Sequence, residues 1–235
     1  MNEILYSLYD RRSVRAFEDQ PVAEEQKRMV LDAAAQAPSA GCQQLYTILD
    51  ITDPALKERL AETCDHQSFI ARAPVVLIFC ADCLKWFDAY VEAGCTPRQP
   101  RAGDLLLAVD DALIAAQNAA CYIGDIMEQY EEHRRLLKLP AWVFPACMLV
   151  LGWPTRQQRE RPKPARFAQK HIVHENAYRR MAGPELREMF AGRTGGQSFE
   201  AWMSAFCRRK YDSDFAREMS RSVEEYLRDF EEEES

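Results

Sequence analysis

The stretch Pro74-Val-Val-Leu-Ile-Phe-Cys80 is apolar at successive positions, so both faces of an extended chain would be apolar here. Such a pattern is typical of a central strand that is covered on two sides. Ala146–Gly152 has the same character and predicts a second strand of this kind. These two runs are the strongest indication that the fold contains a buried sheet.

Helical patterns alternate with these strands. After Pro21, apolar residues recur at three- and four-residue steps as far as Ala37, and Pro38 ends this helix. Leu45–Ile51 is a short β-prone run, and Asp53-Pro54 then opens a helix with a cap residue and a proline at the first position. The alternation predicts an α/β or α+β layered domain and not a helical bundle.

The composition is that of a globular protein. The chain has 235 residues, of which 47% are hydrophobic and 29% are charged, and its net charge of −7 does not favour a nucleic-acid-binding surface. The longest apolar run, Leu139–Pro154, is too short to span a bilayer and is interrupted by prolines and a glycine. Met1–Arg12 lacks the apolar core of a secretory signal. We therefore expect a cytoplasmic protein with no membrane or nucleic-acid partner.

One domain is expected over residues 1–235, because no linker or repeat divides the chain. Its last part, 162–235, contains a basic, proline-containing arm at Pro162–Asn176, helices at about 184–191, 199–208 and 214–230, and an acidic tail at 231–235. The last helix is plainly amphipathic, with Phe215, Met219, Val223, Tyr226, Leu227 and Phe230 on one face.

The longest helical pattern is Asp104–Ile123, and it carries a stripe of small residues. The stripe consists of alanines at 108, 112, 116 and 120, with a further pair at 115 and 119. Small side chains let a second backbone approach closely, as at a core crossing or at a subunit interface. The pattern leaves both possibilities open.

The eight cysteines are irregularly spaced, which favours reduced thiols over a disulfide framework. Cys80-Ala-Asp-Cys83 follows a predicted strand, a position where redox-active pairs occur. His171 and His174 could complete a zinc site only if the fold brought them near this pair. A thiol or metal protein is therefore an alternative, although we expect no metal and interpret His174 as a structural hydrogen-bonding residue.

The segment Arg11-Arg-Ser-Val-Arg15 concentrates guanidinium groups and a hydroxyl in an acidic protein. In an extended segment Arg11, Ser13 and Arg15 project to one side, and such donors suit a phosphate. The alternative is a solvated basic turn. Lys163-Pro-Ala-Arg166 is a second basic cluster, and the two would form a phosphate clamp if the fold brought them together.

Three loop-like segments provide hydrogen-bonding groups or close backbone approach. Pro38-Ser-Ala-Gly-Cys-Gln-Gln44 is a tight turn that could bind a planar polar heterocycle. Asp65-His-Gln-Ser68 offers Gln67, and in Tyr122-Ile-Gly-Asp125 the glycine could expose its backbone N–H to a ligand. Each signal is weak when taken alone.

Taken in order, these motifs resemble the FMN-dependent nitroreductase family. The resemblance covers roughly residues 1–180 and rests on the following segments: Arg11-Arg-Ser-Val-Arg-Ala-Phe, Ala37-Pro-Ser-Ala, Cys121-Tyr-Ile-Gly-Asp125, Pro145–Pro154 with Leu151-Gly-Trp-Pro, and Lys163-Pro-Ala-Arg166. The arm, with Val173-His-Glu-Asn176, is similar to that of the larger, NADPH-preferring members. The ordered combination is specific, although no single segment is.

The resemblance implies an α+β fold with a central, mostly antiparallel sheet wrapped by helices, in an intertwined homodimer with FMN at the interface. It places the helix 104–123 at the dimer contact. The implied activity is NAD(P)H-dependent reduction of nitro compounds, quinones or flavins by a ping-pong mechanism, with a small-molecule electron acceptor. A flavin-binding sensor or storage protein without turnover is the other alternative.

The resemblance also implies roles for individual residues. Arg11 and Ser13 would hold the FMN phosphate and ribityl chain together with Lys163 and Arg166, and Arg15 would lie near the N1/O2 edge of the ring. At about 4 Å and an effective dielectric constant of about 20, a guanidinium attracts a unit negative charge with roughly 4 kcal/mol, before the cost of desolvation is subtracted. No residue acts as a catalytic nucleophile, because the flavin carries the redox chemistry. The full set of implied cofactor-binding residues is Arg11, Arg12, Ser13, Arg15, Pro38, Ser39, Ala40, Gln44, Gln67, Ile123, Gly124, Asp125, Lys163 and Arg166.

Three positions depart from the family pattern. Cys42 replaces a frequent Asn, Asp125 replaces a common second Gly near N5, and Ala165 lengthens the spacing between Lys163 and Arg166. Arginines at 193, 208 and 209 are candidates for a contact with the 2′-phosphate of NADPH.

Overall fold

The computed structural model of the protein describes residues 2–119 and 122–231. Ala120, Cys121 and 232–235, which carried parts of the predicted stripe, motif and tail, lie outside the described residues. Within these limits the chain forms four strands and eleven α-helices. The strands are β1 (Tyr46–Asp50), β2 (Val75–Asp82), β3 (Tyr122–Ile123) and β4 (Val143–Leu151). The helices are α1 (Glu3–Asp10), α2 (Glu24–Ala35), α3 (Pro54–Thr63), α4 (Phe69–Arg72), α5 (Leu84–Glu92), α6 (Ala102–Ala119), α7 (Tyr130–Leu137), α8 (Arg156–Glu160), α9 (Gly183–Phe190), α10 (Phe199–Lys210) and α11 (Asp214–Arg228).

The sheet has the order β1-β2-β4-β3, and each neighbouring pair is antiparallel. Every residue of β2 is buried, as is most of β4, so both predicted central strands are confirmed. The register between them places Phe79 opposite Cys147, and a bulge follows at Cys80. The expected α+β fold with an antiparallel sheet wrapped by helices is therefore correct.

Local sequence signals explain where the elements begin. Asp53 caps α3 through its side chain, which accepts a hydrogen bond from the N–H of Ala55, and Pro54 occupies the first turn, as predicted. Asn2 caps α1 in the same way through the N–H of Leu5. Each cap satisfies an N–H group that has no partner within its helix, which contributes about 1 kcal/mol.

Helix α6 corrects one expectation and resolves one open alternative. It ends at Ala119, and Tyr122–Ile123 is a strand and not the end of the helix. The alanine stripe faces the core of its own chain: Ala108, Ala112 and Ala115 are fully buried. Small side chains allow α6 to lie close to the sheet and α2, so of the two possibilities the described alanines form a core crossing, while the placing of the helix at a dimer contact stays a prediction.

The chain divides into two compact units. The described residues of Met1–Glu160 and Glu218–Ser235 form the first unit, and Arg161–Arg217 forms the second. In the first unit, Tyr226 of α11 packs edge-on against Tyr130 and Phe144, which confirms the predicted apolar face of the last helix. In the second unit, the predicted arm is largely irregular and contains a 3-10 turn at Gln169–His171. The expectation of one domain stays a prediction.

Candidate active site

A cleft of about 130 Å³ lies at the end of the sheet where β4 finishes. The N-terminal basic segment forms one wall, and α4, β3 and the end of β4 form the others. The cleft thus combines guanidinium and hydroxyl groups with aromatic and aliphatic surface. Its lining residues are Arg12, Ser13, Val14, Arg15, Phe17, Phe69, Ile123, Val150, Leu151 and Gly152.

The basic segment is held as an extended strand-like arm beside the end of β4. Phe17 forms a β-bridge with Pro154, and the N–H of Glu18 donates to the carbonyl of Trp153 at 2.7 Å. Gly152 permits this contact, because a Cβ atom there would lie 2.7 Å from the Phe17 ring and 2.7 Å from Pro74. The Leu151-Gly-Trp-Pro motif therefore fixes the position of the arginines.

Exposure alternates along this arm as predicted. Arg11, Ser13 and Arg15 are exposed, whereas Arg12 and Val14 are half-buried. Extended geometry is the cause, since successive side chains of a strand point to opposite sides. Arg11, Ser13 and Arg15 therefore share one side of the arm, and of these three Ser13 and Arg15 line the cleft.

The individual arginines have different surroundings. Arg15 holds its guanidinium 5.8 Å from the centre of the Phe69 ring, and its backbone N–H donates to Gln158. Arg12 forms an ion pair with Asp10 at 3.4 Å. Arg11 donates to the carbonyl of Gln117 at 2.9 Å, in the last turn of α6, where a cation complements the helix dipole. Arg11 therefore has a structural role and does not line the cleft, and its predicted phosphate contact stays a prediction.

The segment Ile123–Asp125 reaches the cleft through Ile123, while Asp125 begins a 3-10 turn that extends to Met127. This 3-10 turn packs against β4. The next residue, Glu128, is buried. The structure thus brings Arg12, Ser13, Arg15 and Ile123 together, as predicted for parts of one site.

The Pro38–Gln44 loop does not line this cleft. It is a 3-10 turn at Ala40–Cys42 in which Gly41 and Cys42 have φ values of +60° and +56°. Gln44 donates from its side chain to the carbonyl of Ala35 at 2.9 Å, and its backbone N–H donates to Ser39 Oγ. The predicted flavin contacts of Pro38, Ser39, Ala40 and Gln44 stay predictions.

Gln67 is also absent from the lining of the cleft. It is half-buried and donates to the carbonyl of Cys64 at 3.0 Å. The two preceding residues, Asp65 and His66, have positive φ values, which confirms the loop predicted at this position. Its predicted contact with the flavin is not tested by this arrangement.

Lys163, Arg166 and the arginines at 193, 208 and 209 belong to the second unit. Within that unit, Arg193 stacks 3.8 Å above the Phe167 ring and donates to the carbonyl of Ala165, and Arg209 lies 5.1 Å from the centre of the Phe206 ring. These contacts order the unit itself. The predicted phosphate clamp and the 2′-phosphate contact stay predictions.

Cys80 and Cys83 behave as buried apolar residues and not as a reactive pair. Cys80 and Cys83 are buried, and burial raises the pKa of each thiol to about 12. Such thiols carry little thiolate at neutral pH, which removes the nucleophile that a redox pair needs. His174 accepts a hydrogen bond from the N–H of Arg179, as a structural residue would. Among residues 2–119 and 122–231, no cluster of three His, Cys, Asp or Glu side chains could hold a metal ion.

Comparison with known proteins agrees with this geometry. Residues 8–153 match the family described as the Nitroreductase family. The chain belongs to the nitroreductase family. The match contains the basic arm from Arg11 and the Leu151-Gly-Trp motif, both of which contribute to the cleft, and also the Pro38–Gln44 loop outside it.

Individual relatives cover most of the chain. An FMN reductase (NAD(P)H) of Bacillus subtilis is 30% identical, over 96% of this chain and 91% of its own length. An oxygen-insensitive NADPH nitroreductase of Salmonella typhimurium is 34% identical, over 76% of this chain and 75% of its own. The solved structure of the hypothetical oxidoreductase YcnD of Bacillus subtilis is 28% identical, with a TM-score of 0.81 over 96% of this chain and 98% of that chain.

The departures from the nitroreductase pattern have structural consequences. Cys42 has a left-handed backbone, a conformation that Asn adopts several-fold more readily than most other residues, so this chain keeps the turn at a conformational cost. Asp125 is half-buried, and its charge is among the causes that raise the pKa of Glu128. Cys42 thus affects the backbone of its own turn, and Asp125 affects the carboxyl group of Glu128.

Sequence reasoning missed four residues that shape the region. Phe69, Phe17 and Gly152 line the cleft, and Asp111 is a buried carboxylate on α6 that accepts hydrogen bonds from the Pro38–Gln44 loop. Asp111 could have been found, because a lone acid among the alanines of a buried helix face needs a partner. The close approach at Gly152 depends on tertiary contacts that are not visible in the sequence.

Proposed function

We propose that the protein is an FMN-dependent oxidoreductase of the cytoplasm that uses NAD(P)H to reduce small acceptors such as nitro compounds, quinones or flavins. The observation that carries this proposal is the cleft in which Arg12, Ser13 and Arg15 face Phe69 and Ile123. Membership of the nitroreductase family and the names of the two relatives support the same activity.

The residues of the cleft fit FMN on chemical grounds. Arginine forks and a serine hydroxyl suit a phosphate and a polyhydroxylated chain, since both offer several acceptor oxygens. Phe17, Phe69 and the β4 aliphatic side chains provide apolar surface for a flat ring. When bound, FMN would supply the hydride-transfer chemistry that no side chain of the protein can perform.

The chain's own residues would bind and orient the ligand. Arg12 and Ser13 would hold the anionic tail, with Arg11 as a further donor from the same segment. Arg15 would place a positive charge at the N1/O2 edge of the ring, and the backbone N–H groups of Ile123–Asp125 would face N5. Gln67 and the loop residues Ser39 and Ala40 would complete the contacts to the ring.

A homodimer is part of the proposal, because large apolar side chains are exposed on two helices of the first unit. Ile4, Tyr6 and Tyr9 of α1 are 71%, 67% and 72% exposed, and Leu106 of α6 is 66% exposed, with Leu107 and Ile114 nearby in sequence. Extensive exposed apolar surface marks interaction sites. The face of α6 opposite the alanines is therefore the part of this helix that we place at the dimer contact.

The dimer is tested by light scattering coupled to size-exclusion chromatography. The double variant Leu106→Glu/Ile114→Glu should elute as a folded monomer, because two charges cannot be buried without partners. Met29→Glu is the matched control, since Met29 is a comparably exposed apolar residue on α2. If the double variant stays dimeric, α6 is not part of the dimer interface.

The activity is tested on protein purified without added flavin. We expect a yellow protein with a visible flavin spectrum, or an apoprotein that quenches the fluorescence of added FMN with a micromolar or lower Kd, about −8 kcal/mol or tighter. Oxidation of NADPH and NADH should then depend on nitrofurazone or a quinone, compared with a blank without acceptor. Arg12→Gln should weaken FMN binding, whereas Arg28→Gln, the same charge change on exposed α2, should not.

The outcomes separate the alternatives. Protein that stays colourless and takes up no FMN overturns the proposal. Protein that binds FMN but oxidises no NAD(P)H with any acceptor is a flavin sensor or store.

A further inference from the structure

Asp111 is a buried charged residue with a defined contact. It lies on the buried face of α6 between Ala108 and Ala112 and is 3% exposed. Its Oδ1 accepts a hydrogen bond from the N–H of Ala40 at 3.3 Å, and its Oδ2 accepts one from the N–H of Leu45 at 3.0 Å. One carboxylate thus links α6 to both ends of the turn, at Ala40 within the Pro38–Gln44 loop and at Leu45 directly after it.

The loop needs such an anchor because its backbone is unfavourable. Gly41, Cys42 and Gln44 all have left-handed φ values, of +60°, +56° and +49°. For the two non-glycine residues this conformation costs of order 1 kcal/mol or more each, and it persists only where surrounding contacts determine it. The side chain of Trp86 adds one such contact, with its Nε1 donating to the carbonyl of Gln43 at 2.7 Å.

Simple packing does not account for an acid at this position. A buried carboxylate pays a desolvation cost that alanine, its neighbour on both sides of this face, would avoid. The cost is offset by the two N–H donors and in part by the field of the Lys85 ammonium, whose pKa burial lowers while the charges of Asp82 and, to a smaller extent, Asp111 oppose that change. Asp111 is therefore an acid that is costly to bury, and it lies where the N–H groups of Ala40 and Leu45 need acceptors.

We infer that Asp111 is the positioning residue of the flavin site: its carboxylate fixes the separation and direction of Ala40 and Leu45, and so holds Ser39 and Ala40 in place to contact the flavin ring. This inference rests on the proposed function, in which Ser39 and Ala40 touch FMN. Asp111 itself touches neither FMN nor substrate.

The first test is Asp111→Asn, which keeps the size of the side chain but replaces one acceptor oxygen by a donor facing an N–H. We expect the FMN Kd to rise about tenfold and the visible circular dichroism of bound FMN to change. Faster hydrogen exchange of the Ala40 and Leu45 amides in the apoprotein should report the same loss without any flavin.

Asp82→Asn is the matched control. Asp82 is also a buried carboxylate, at 7% exposure, but its side chain accepts from Thr47 and from the N–H of Lys85 and not from the loop. It should change stability and leave the FMN Kd and the dichroism of bound FMN as in the wild type.

A second variant breaks the contact from the loop side, in case Asp111→Asn fails to fold. Ala40→Pro removes the N–H donor, and the extended conformation of Ser39 (φ −138°, ψ 155°) is compatible with a following proline. If both variants act through one hydrogen bond, their effects on the FMN Kd should be clearly less than additive in the double variant.

The outcomes are distinct. If wild type and Asp82→Asn bind FMN and Asp111→Asn binds it with an unchanged Kd and dichroism, this inference is wrong and the proposed function stands. If Asp82→Asn weakens FMN as much as Asp111→Asn, the effect is general destabilisation and the inference is again wrong. If the wild type takes up no FMN, the proposed function fails and the inference falls with it.

Discussion

Two buried carboxylates of the first unit, Asp111 and Glu128, have opposite surroundings. They are similarly shielded, at 3% and 5% exposure. Asp111 accepts hydrogen bonds from two backbone N–H groups, whereas Glu128 Oε1 has no hydrogen-bond partner among the described residues. The charges nearest to Glu128 are themselves acidic, from Asp125, Asp65 and Glu218.

The difference shows that partners decide what a buried acid does. Asp111 stabilises a strained loop, because its charge is matched by donors. Burial, together with the acidic neighbours, raises the pKa of Glu128 to about 8, so its carboxyl is largely protonated at neutral pH. Of the basic residues on the neighbouring elements, His133 has a pKa that burial lowers, and Arg221 pairs with Glu218 and Glu131.

The largest effect is expected from Asp111→Ala. The N–H of buried Leu45 would lose its acceptor, which costs about 1–3 kcal/mol, and the hydrogen bond from the N–H of Ala40, an exposed residue, would be lost at about 0.5–1.5 kcal/mol. We expect the free energy of unfolding, measured by urea denaturation, to fall by about 2–4 kcal/mol. Asp32→Ala removes an exposed carboxylate from α2 and should change it by less than about 0.5 kcal/mol. Equal effects of the two variants would contradict the anchoring role.

Glu128→Gln should raise the free energy of unfolding, in contrast to Asp111→Ala. The pKa of Glu128 is higher in the folded state than the usual 4.5, so its contribution to stability is complete below about pH 4.5 and is lost as the pH rises to about 8. Glutamine cannot ionise and escapes this loss, which is at most about 1.4 kcal/mol per pH unit. We expect the variant to be about 2 kcal/mol more stable than the wild type at pH 8.

The measurement for Glu128→Gln is urea denaturation at pH 5, 6.5 and 8. The gap between variant and wild type should widen with pH. Glu131→Gln, an exposed acid paired with Arg221, is the control and should not be stabilised, because the Arg221 ion pair lowers the pKa of Glu131. A gap that is constant with pH would mean that Glu128 ionises normally in the folded protein.

The smallest effect on stability is expected from Arg15→Gln, which removes an exposed charge from the cleft. The free energy of unfolding should change by less than about 0.5 kcal/mol, as is usual for surface substitutions. The reduction potential of bound FMN should fall, because a positive charge near the N1/O2 edge favours the reduced, more negative flavin. Arg28→Gln is the control. If the reduction potential is unchanged while FMN is still bound, Arg15 does not lie at the N1/O2 edge of the ring.

The fold was largely predictable because its signals are local. The apolar run of β2, the Asp53-Pro54 cap of α3 and the periodic face of α11 each depend on neighbouring residues, and the structure confirms all three. The alanine stripe of α6 was ambiguous for a physical reason: small residues allow close approach but do not say whether the approaching backbone is in the same chain. Ala108, Ala112 and Ala115 are buried within their own chain, so the approaching backbone belongs to the same chain.

The candidate site was predicted in part. The residues of one continuous segment, Arg12, Ser13 and Arg15, line the cleft as expected, and Ile123 joins them. Phe69 and Gly152 were missed, because an isolated phenylalanine or glycine carries no signal of what it will approach. The convergence of Lys163 and Arg166 on this cleft stays a prediction.

The sequence by itself determined the two central strands, the start of α3 and the apolar face of α11, which residue types could bind an anion, and the family to which their order is similar. Those properties follow from patterns over a few residues or from motif order. Only the tertiary structure decided that the alanines of α6 face the chain's own sheet, that Gly152 admits Phe17, and that Asp111 is matched by donors while Glu128 is not. These outcomes depend on which distant groups meet in a low-dielectric interior, where the energy of a charge is set by its neighbours.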